Sequence, residues 1–177
     1  PYNSYYLTSR FFMENDDDLL VFKDNIFPDS TSRPPFSYFQ RADSILRNTC
    51  YGRFEFAYGS PYIANNKLLR NVTDGNYTAL AFGLCSPTVV NNYIVVGGLL
   101  NSKGIQLTNI YQKPSLIAHN SISNVGSSST SYGLYLYGTG NDSLTIKNNI
   151  FSCGSGGIPL YVQSPLSNKD WDYNCYY

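Results

Sequence analysis

The sequence predicts an all-β solenoid, a chain wound turn upon turn, and three observations carry that prediction. The composition avoids helix: of 177 residues only 14% are charged and one is Met, while Tyr and Gly number 17 and 14. Exposed helix faces are ordinarily filled with Ala, Glu, Lys and Met. A motif centred on Asn recurs along the chain, at intervals between 18 residues (Asn48 to Asn66) and 29 residues (Asn120 to Asn149). Between its copies lie short Gly-initiated segments that alternate apolar and polar residues, the period of a half-buried strand.

The clearest internal match sets Leu20-Val21-Phe22-Lys23-Asp24-Asn25-Ile26-Phe27 against Leu144-Thr145-Ile146-Lys147-Asn148-Asn149-Ile150-Phe151. Weaker copies centre on Asn48, Asn66, Asn92 and Asn120, a last one on Asn174, and Pro1-Tyr2-Asn3-Ser4-Tyr5 reads as an opening half. Three residues before each Asn stands an apolar column of Phe22, Ile45, Ile63, Val89, Ile117, Ile146 and Trp171. Two residues after it stand Phe27, Cys50, Leu68, Ile94, Ile122, Phe151 and Tyr176. The position immediately before it is polar in Asp24, Arg47, Asn65, Asn91, His119 and Asn148, with Tyr173 the exception. This pattern predicts a strand with one buried face, a tight turn at the Asn, and a second strand with one buried face. Asn is expected to take the left-handed conformation there, and Asn25, Asn48, Asn66, Asn92, Asn120, Asn149 and Asn174 are expected to form a hydrogen-bonded amide ladder.

A third strand precedes each apolar column, at residues 53–58, 77–82, 104–107, 133–137 and 157–162. A corner follows it with Pro61, Pro87, Pro114 or Pro165, where a fixed φ and a missing N–H suit a turn. The remaining corner varies most, across residues 28–44, 71–76 and 126–131, and such loops are where solenoids place binding sites. Three strands and three corners in about 25 residues describe one rung of a parallel β-helix, and the 177 residues amount to a single domain of about seven rungs.

The Ile-x-x-Asn-x-Ile/Phe repeats, the Gly-Ile/Leu-x-Leu strands and the closing Asp172-Tyr173-Asn174-Cys175-Tyr176-Tyr177 resemble the pectate-lyase-like superfamily, most clearly from Ile63 onward. The resemblance implies a right-handed, single-stranded parallel β-helix. It implies no single activity, because that superfamily includes lyases, hydrolases, epimerases, phage tailspikes, adhesins and passive surface proteins.

Charge narrows the partners. Twelve Lys and Arg balance twelve Asp and Glu, so the basic field that nucleic-acid binding needs is missing. Apolar runs such as residues 93–96 are too short for a membrane-spanning helix, and no membrane insertion is expected. The chain opens at Pro1 with neither an initiator Met nor a charged-then-apolar leader, which reads as a processed protein or a piece of a larger one. Sequons at Asn71, Asn76 and Asn141 fit an extracellular or cell-surface glycoprotein, although a chain rich in Asn, Ser and Thr also produces them by chance.

Candidate chemistry is sparse. Asp170 and Asp172 flank Trp171 and share a strand face, as paired carboxylates of a glycosidase would, or as a solvated edge would. The resemblance implies clustered Asp in hydrolases and a Lys or Arg base, with Ca²⁺ or acids, in lyases. No Asp-Asp or Gly-His-Gly motif accompanies Asp170 and Asp172, so no catalytic residue is assigned. Asp16, Asp17 and Asp18 are the one dense acidic run, yet they lack a defined ligand spacing and a Gly turn, so neither metal nor cofactor is expected. Arg47, Arg53 and Arg70, with Lys67, fall on adjacent rungs where they could meet an acidic sugar or simply confer solubility. Tyr135 and Tyr137 point outward if Leu134 and Leu136 point inward, offering a sugar chain or a second subunit an amphipathic surface. Cys50 reads as a buried free thiol, while Cys153 and Cys175 stand on neighbouring rungs at a distance sequence does not fix.

The two ends resemble each other and neither carries a capping helix. The functional expectation is therefore a non-enzymatic extracellular or cell-surface structural protein, its partner itself, stacked end to end as a filament or tandem array. The alternatives are a carbohydrate-active module, either a polysaccharide lyase or a glycan-binding domain, and a trimeric phage receptor-binding spike.

Overall fold

A computed structural model describes residues 11–14, 21–27, 36–40, 44–71, 76–98, 100–110, 113–138, 143–163 and 169–177. Among them there is no helix, and the strands form three parallel sheets of seven. The first sheet contains Phe11–Glu14, Phe36–Gln40, Arg53–Ala57, Asn76–Gly83, Leu100–Thr108, Tyr132–Tyr137 and Ile158–Val162. The second contains Val21–Lys23, Ser44–Leu46, Tyr62–Ala64, Thr88–Val90, Ser115–Ala118, Leu144–Lys147 and Lys169–Asp172. The third contains Ile26–Phe27, Thr49–Cys50, Lys67–Asn71, Tyr93–Gly97, Ser121–Asn124, Ile150–Cys153 and Cys175–Tyr176. The chain visits the sheets in rotation, so each strand pairs with its equivalents one turn before and one turn after. This is the parallel β-solenoid that the repeat predicts.

Side-chain columns fix the register. Phe22, Ile45, Ile63, Val89, Ile117, Ile146 and Trp171 pair in sequence up the second sheet. Phe27, Cys50, Leu68, Ile94, Ile122, Phe151 and Tyr176 do the same in the third. A slip of one residue would turn a whole column to solvent, which is why these pairings hold. The first sheet adds Phe39, Phe56, Phe82, Leu107, Leu136 and Val162. Its early members are rings: Phe39 and Phe56 stack at 5.2 Å, Phe56 and Phe82 at 5.0 Å, and Phe54 meets Phe39 edge-on. From Leu107 onward this column is aliphatic, while Phe151 in the third sheet and Trp171 in the second keep rings in the later turns.

The ladder turn departs from expectation by one residue. The left-handed position is not the ladder Asn but the residue before it: Asp24, Arg47, Asn65, Asn91, His119, Asn148 and Tyr173 have φ between 53° and 59°. The reason lies in the hydrogen bonds. This conformation turns the chain while its N–H still reaches the next rung, as from Arg47 to the Ala64 carbonyl (3.1 Å) and from Asn91 to that of Ala118 (3.2 Å). The Asn that follows is then free to aim its side chain inward. Left-handed backbone costs an L-residue about 1–2 kcal/mol, least for Asn, Asp and His, so the cost falls hardest on Arg47 and Tyr173. A second left-handed column stands where the first sheet turns toward the second, at Tyr58, Leu84, Asn109 and Gly138.

Pro61, Pro87 and Pro114 lie between strands, as expected, and Pro165 is outside the described residues. Pro159 sits within a strand, but that strand is the edge of its sheet, where a missing N–H is tolerated. Gly104 is required by close approach, since a Cβ there would stand 2.4 Å from Ile122 Cγ2 and 2.6 Å from the Gly133 carbonyl oxygen.

Candidate functional site

The buried asparagines repeat one bonding pattern. Asn25 is buried, and the five from Asn48 to Asn149 are almost inaccessible, standing between the two apolar columns. The backbone N–H of Asn66 and its Nδ2 both donate to Oδ1 of Asn92, at 2.9 and 3.0 Å. Asn92 donates in the same way to Asn120, at 3.0 Å twice. The series runs unbroken from Asn25 to Asn174. Nδ2 of Asn92 also reaches the carbonyls of Ile63, one turn back, and Val90, in its own turn, both at 3.0 Å. The amides therefore spend their bonding capacity inside the stack, and every step points the same way.

A second buried polar cluster was not read from the sequence. Ser102 donates to Oδ1 of Asn124 (2.9 Å) and its hydroxyl bonds that of Ser131 (3.0 Å), while Asn124 Nδ2 donates to the carbonyls of Ser102 and Tyr132 (2.9 Å each). The signal was present: Asn124 stands two residues beyond inward Ile122, so strand alternation turns it inward too. The variable corner at residues 126–131 is thus more than a surface loop, since Ser131 joins it to this buried polar patch.

The outer face of the first sheet gathers aromatic and cationic groups. Leu134 and Leu136 are buried and Tyr135 and Tyr137 face outward, as alternation predicts. Tyr161, in register with Tyr135, stacks on it at 5.3 Å and 8°, and Tyr132 lies 5.0 Å from Tyr135 and 5.1 Å from Tyr161. Lys103 Nζ sits 5.1 Å from the Tyr135 ring centre, and the Tyr135 hydroxyl donates to Gln163 Oε1 at 2.8 Å. Much ring surface is thus spent on neighbouring groups, while hydroxyls and ring edges remain for a partner. Burial, then the Tyr161, Tyr132 and Tyr137 neighbours, push the Tyr135 hydroxyl up. Burial and the nearby positive charge of Arg53 push Lys103 down.

The predicted arginines do not converge. Arg47 lies at the ladder turn in a bidentate pair with Asp24 (2.7 Å twice), which holds that carboxyl below its ordinary range. Arg53 lies on the outer first sheet, paired to Glu55 at 2.6 Å. Arg70 follows inward Leu68 by two residues and is buried, with Nη1 donating to the Tyr51 carbonyl (3.2 Å) and its guanidinium 5.4 Å from the Tyr77 ring centre. Lys67 is exposed on the third sheet.

Asp170 and Asp172 are exposed and flank half-buried Trp171. Asp170 pairs with Lys147 at 2.6 Å, and Asp172 Oδ1 accepts the Tyr173 N–H at 2.9 Å. The first contact ties the last described turn to the one before it, and the second is local to the ladder turn. Asn71 closes one strand, Asn76 opens the next and is exposed, and Asn141 is outside the described residues, as are Asp16, Asp17 and Asp18. Among the described residues no group of three or more His, Cys, Asp or Glu could hold a metal ion.

All four cysteines are free thiols. Burial pushes Cys50 and Cys85 up to about 12, which keeps them protonated and unreactive at neutral pH. Cys175 pairs in register with Ile150, three residues from Cys153 along the strand. That offset is about 10 Å at strand rise, beyond the Cα separation of about 7 Å that a disulfide can bridge. No protein-family model, curated protein or solved structure among those compared matches the chain.

Proposed function

We propose that the chain is a non-enzymatic structural β-solenoid of an extracellular or cell-surface glycoprotein, continued end to end in a filament or tandem array. One observation carries this reading: the face of the last described turn leaves core columns open. Leu160, Val162 and Trp171 pack against the core yet are only partly buried, and Tyr173, Tyr176 and Tyr177 are 76%, 47% and 73% exposed. Each sheet there ends in a strand with a single neighbour. Because the ladder is one-way, a further turn on Asn174 would repeat the internal junctions. Such a contact is heterologous and does not close on itself. The Asn ladder and Gly-initiated strands also support placing the chain in the pectate-lyase-like superfamily. Electron microscopy of the concentrated protein is expected to show rods longer than one chain; compact monomers alone would contradict stacking.

The outer face of the first sheet favours a second reading, a carbohydrate-binding module. Clustered tyrosine hydroxyls beside Lys103 suit a hydroxylated, extended polymer, because each Tyr offers contact area at low entropic cost and keeps a polar handle.

A further inference from the structure

We propose that the outer face of the first sheet holds an acidic group of a sugar chain, a carboxylate or a sulfate ester, between Arg53 and Lys103. This rests on the carbohydrate-binding reading and is independent of stacking. The two cations stand on strands that flank Asn76–Gly83: Thr78 is in register with Lys103, and Leu80 with Phe54, the residue after Arg53. Their backbones are thus two strand spacings, about 10 Å, apart, within reach of a shared ligand for side chains of this length. On the strand between them Thr78, Ala79 and Ala81 are small and buried, Ala79 within the core cluster, so no long side chain of that strand stands between the two cations. The carboxylate on this floor is Glu55, in register with Ala81 on the Arg53 side.

The charges on this floor are unevenly matched. Glu55 offsets Arg53 at 2.6 Å, whereas among the described residues no carboxylate lies within ion-pair distance of Lys103. Lys103 is half-buried, rests on the Tyr135 ring, and experiences Arg53 as a like charge. An anion seated beside it would relieve both the burial and that repulsion, and would form charge-assisted hydrogen bonds, the strongest kind available to a side chain. Gln106 and the hydroxyls of Tyr132 and Tyr135 lie on the same two strands and could meet the neutral hydroxyls of the same sugar.

Three polymers test this by titration calorimetry at low salt: a polyuronate, dextran sulfate and neutral dextran. The intact chain is expected to bind at least one acidic polymer and to bind neutral dextran at least tenfold more weakly, and the two acidic arms separate carboxylate from sulfate. Lys103→Gln, and independently Arg53→Gln, should weaken acidic binding about tenfold, the scale of one charge-assisted hydrogen bond, with an unchanged circular-dichroism spectrum. Lys67→Gln, on another sheet, should leave it unaltered. Equal binding of neutral dextran, or full affinity in both Lys103→Gln and Arg53→Gln, would overturn the acidic site and leave the carbohydrate reading standing. No binding to any polymer would overturn both.

Discussion

Replacing Asn92 with Ala is expected to cost about 3–5 kcal/mol of folding stability, read from urea unfolding. The substitution orphans the backbone N–H of Asn66, removes one of the three acceptors around its Nδ2, and strips the carbonyls of Ile63 and Val90 of a donor. Each buried polar group left unsatisfied costs about 1–3 kcal/mol, and nothing nearby can move to replace the amide because the rungs above and below repeat it. Asn92→Asp should not rescue the loss. It restores an acceptor for Asn66 but places a carboxylate oxygen where Nδ2 faced two carbonyls and Oδ1 of Asn120. The same change at Asn174, which is half-buried and bonds Asn149 on one side, should cost about 1 kcal/mol, the net worth of an ordinary hydrogen bond. A mid-stack variant as stable as the native protein would show the ladder to be a by-product of stacking.

Phe56→Ala is expected to cost a comparable 3–5 kcal/mol, the range for a fully buried ring. Phe56 is the middle ring of the Phe39–Phe56–Phe82 column, stacked at 5.2 and 5.0 Å with interplanar angles of 16° and 12°. Rungs are locked at one strand spacing by backbone bonds, so Phe39 and Phe82 cannot close on the cavity. Phe56→Leu should cost less than about 1.5 kcal/mol, because Leu107 and Leu136 show that the same column accepts Leu higher in the stack. Calorimetric melting of both variants checks the pair; equal losses would mean that ring stacking, not volume, holds the column.

The parts of this structure that were legible in the sequence are those where one residue type repeats for one reason. The ladder Asn could be aligned because Asn66, Asn92, Asn120 and Asn149 each donate the same four hydrogen bonds, and the flanking columns because Ile45 to Ile146 and Phe27 to Phe151 are buried throughout. The left-handed position was misread because its occupants, from Asp24 and Arg47 to His119 and Tyr173, share a backbone angle and no side-chain chemistry. The turn at Tyr58, Leu84 and Asn109 was silent for the same reason. The outward Tyr135 and Tyr137 followed from alternation. Their partners Tyr161, Lys103 and Arg53 come from other rungs, and only the register brings them to one face. Arg70 shows the opposite failure: a charge expected at the surface is buried because it falls in an inward column, with an aromatic ring beside it.

The central claim is that a one-way amide ladder is the spine of the solenoid, and amide hydrogen exchange tests it most directly. The backbone N–H groups of Asn48, Asn66, Asn92 and Asn120, each donating to the Oδ1 of the next ladder Asn, are predicted to exchange only when the whole stack unfolds. Amides of the serine loop at residues 127–129 should exchange by local opening. Ladder amides that exchange as fast as that loop would contradict the account.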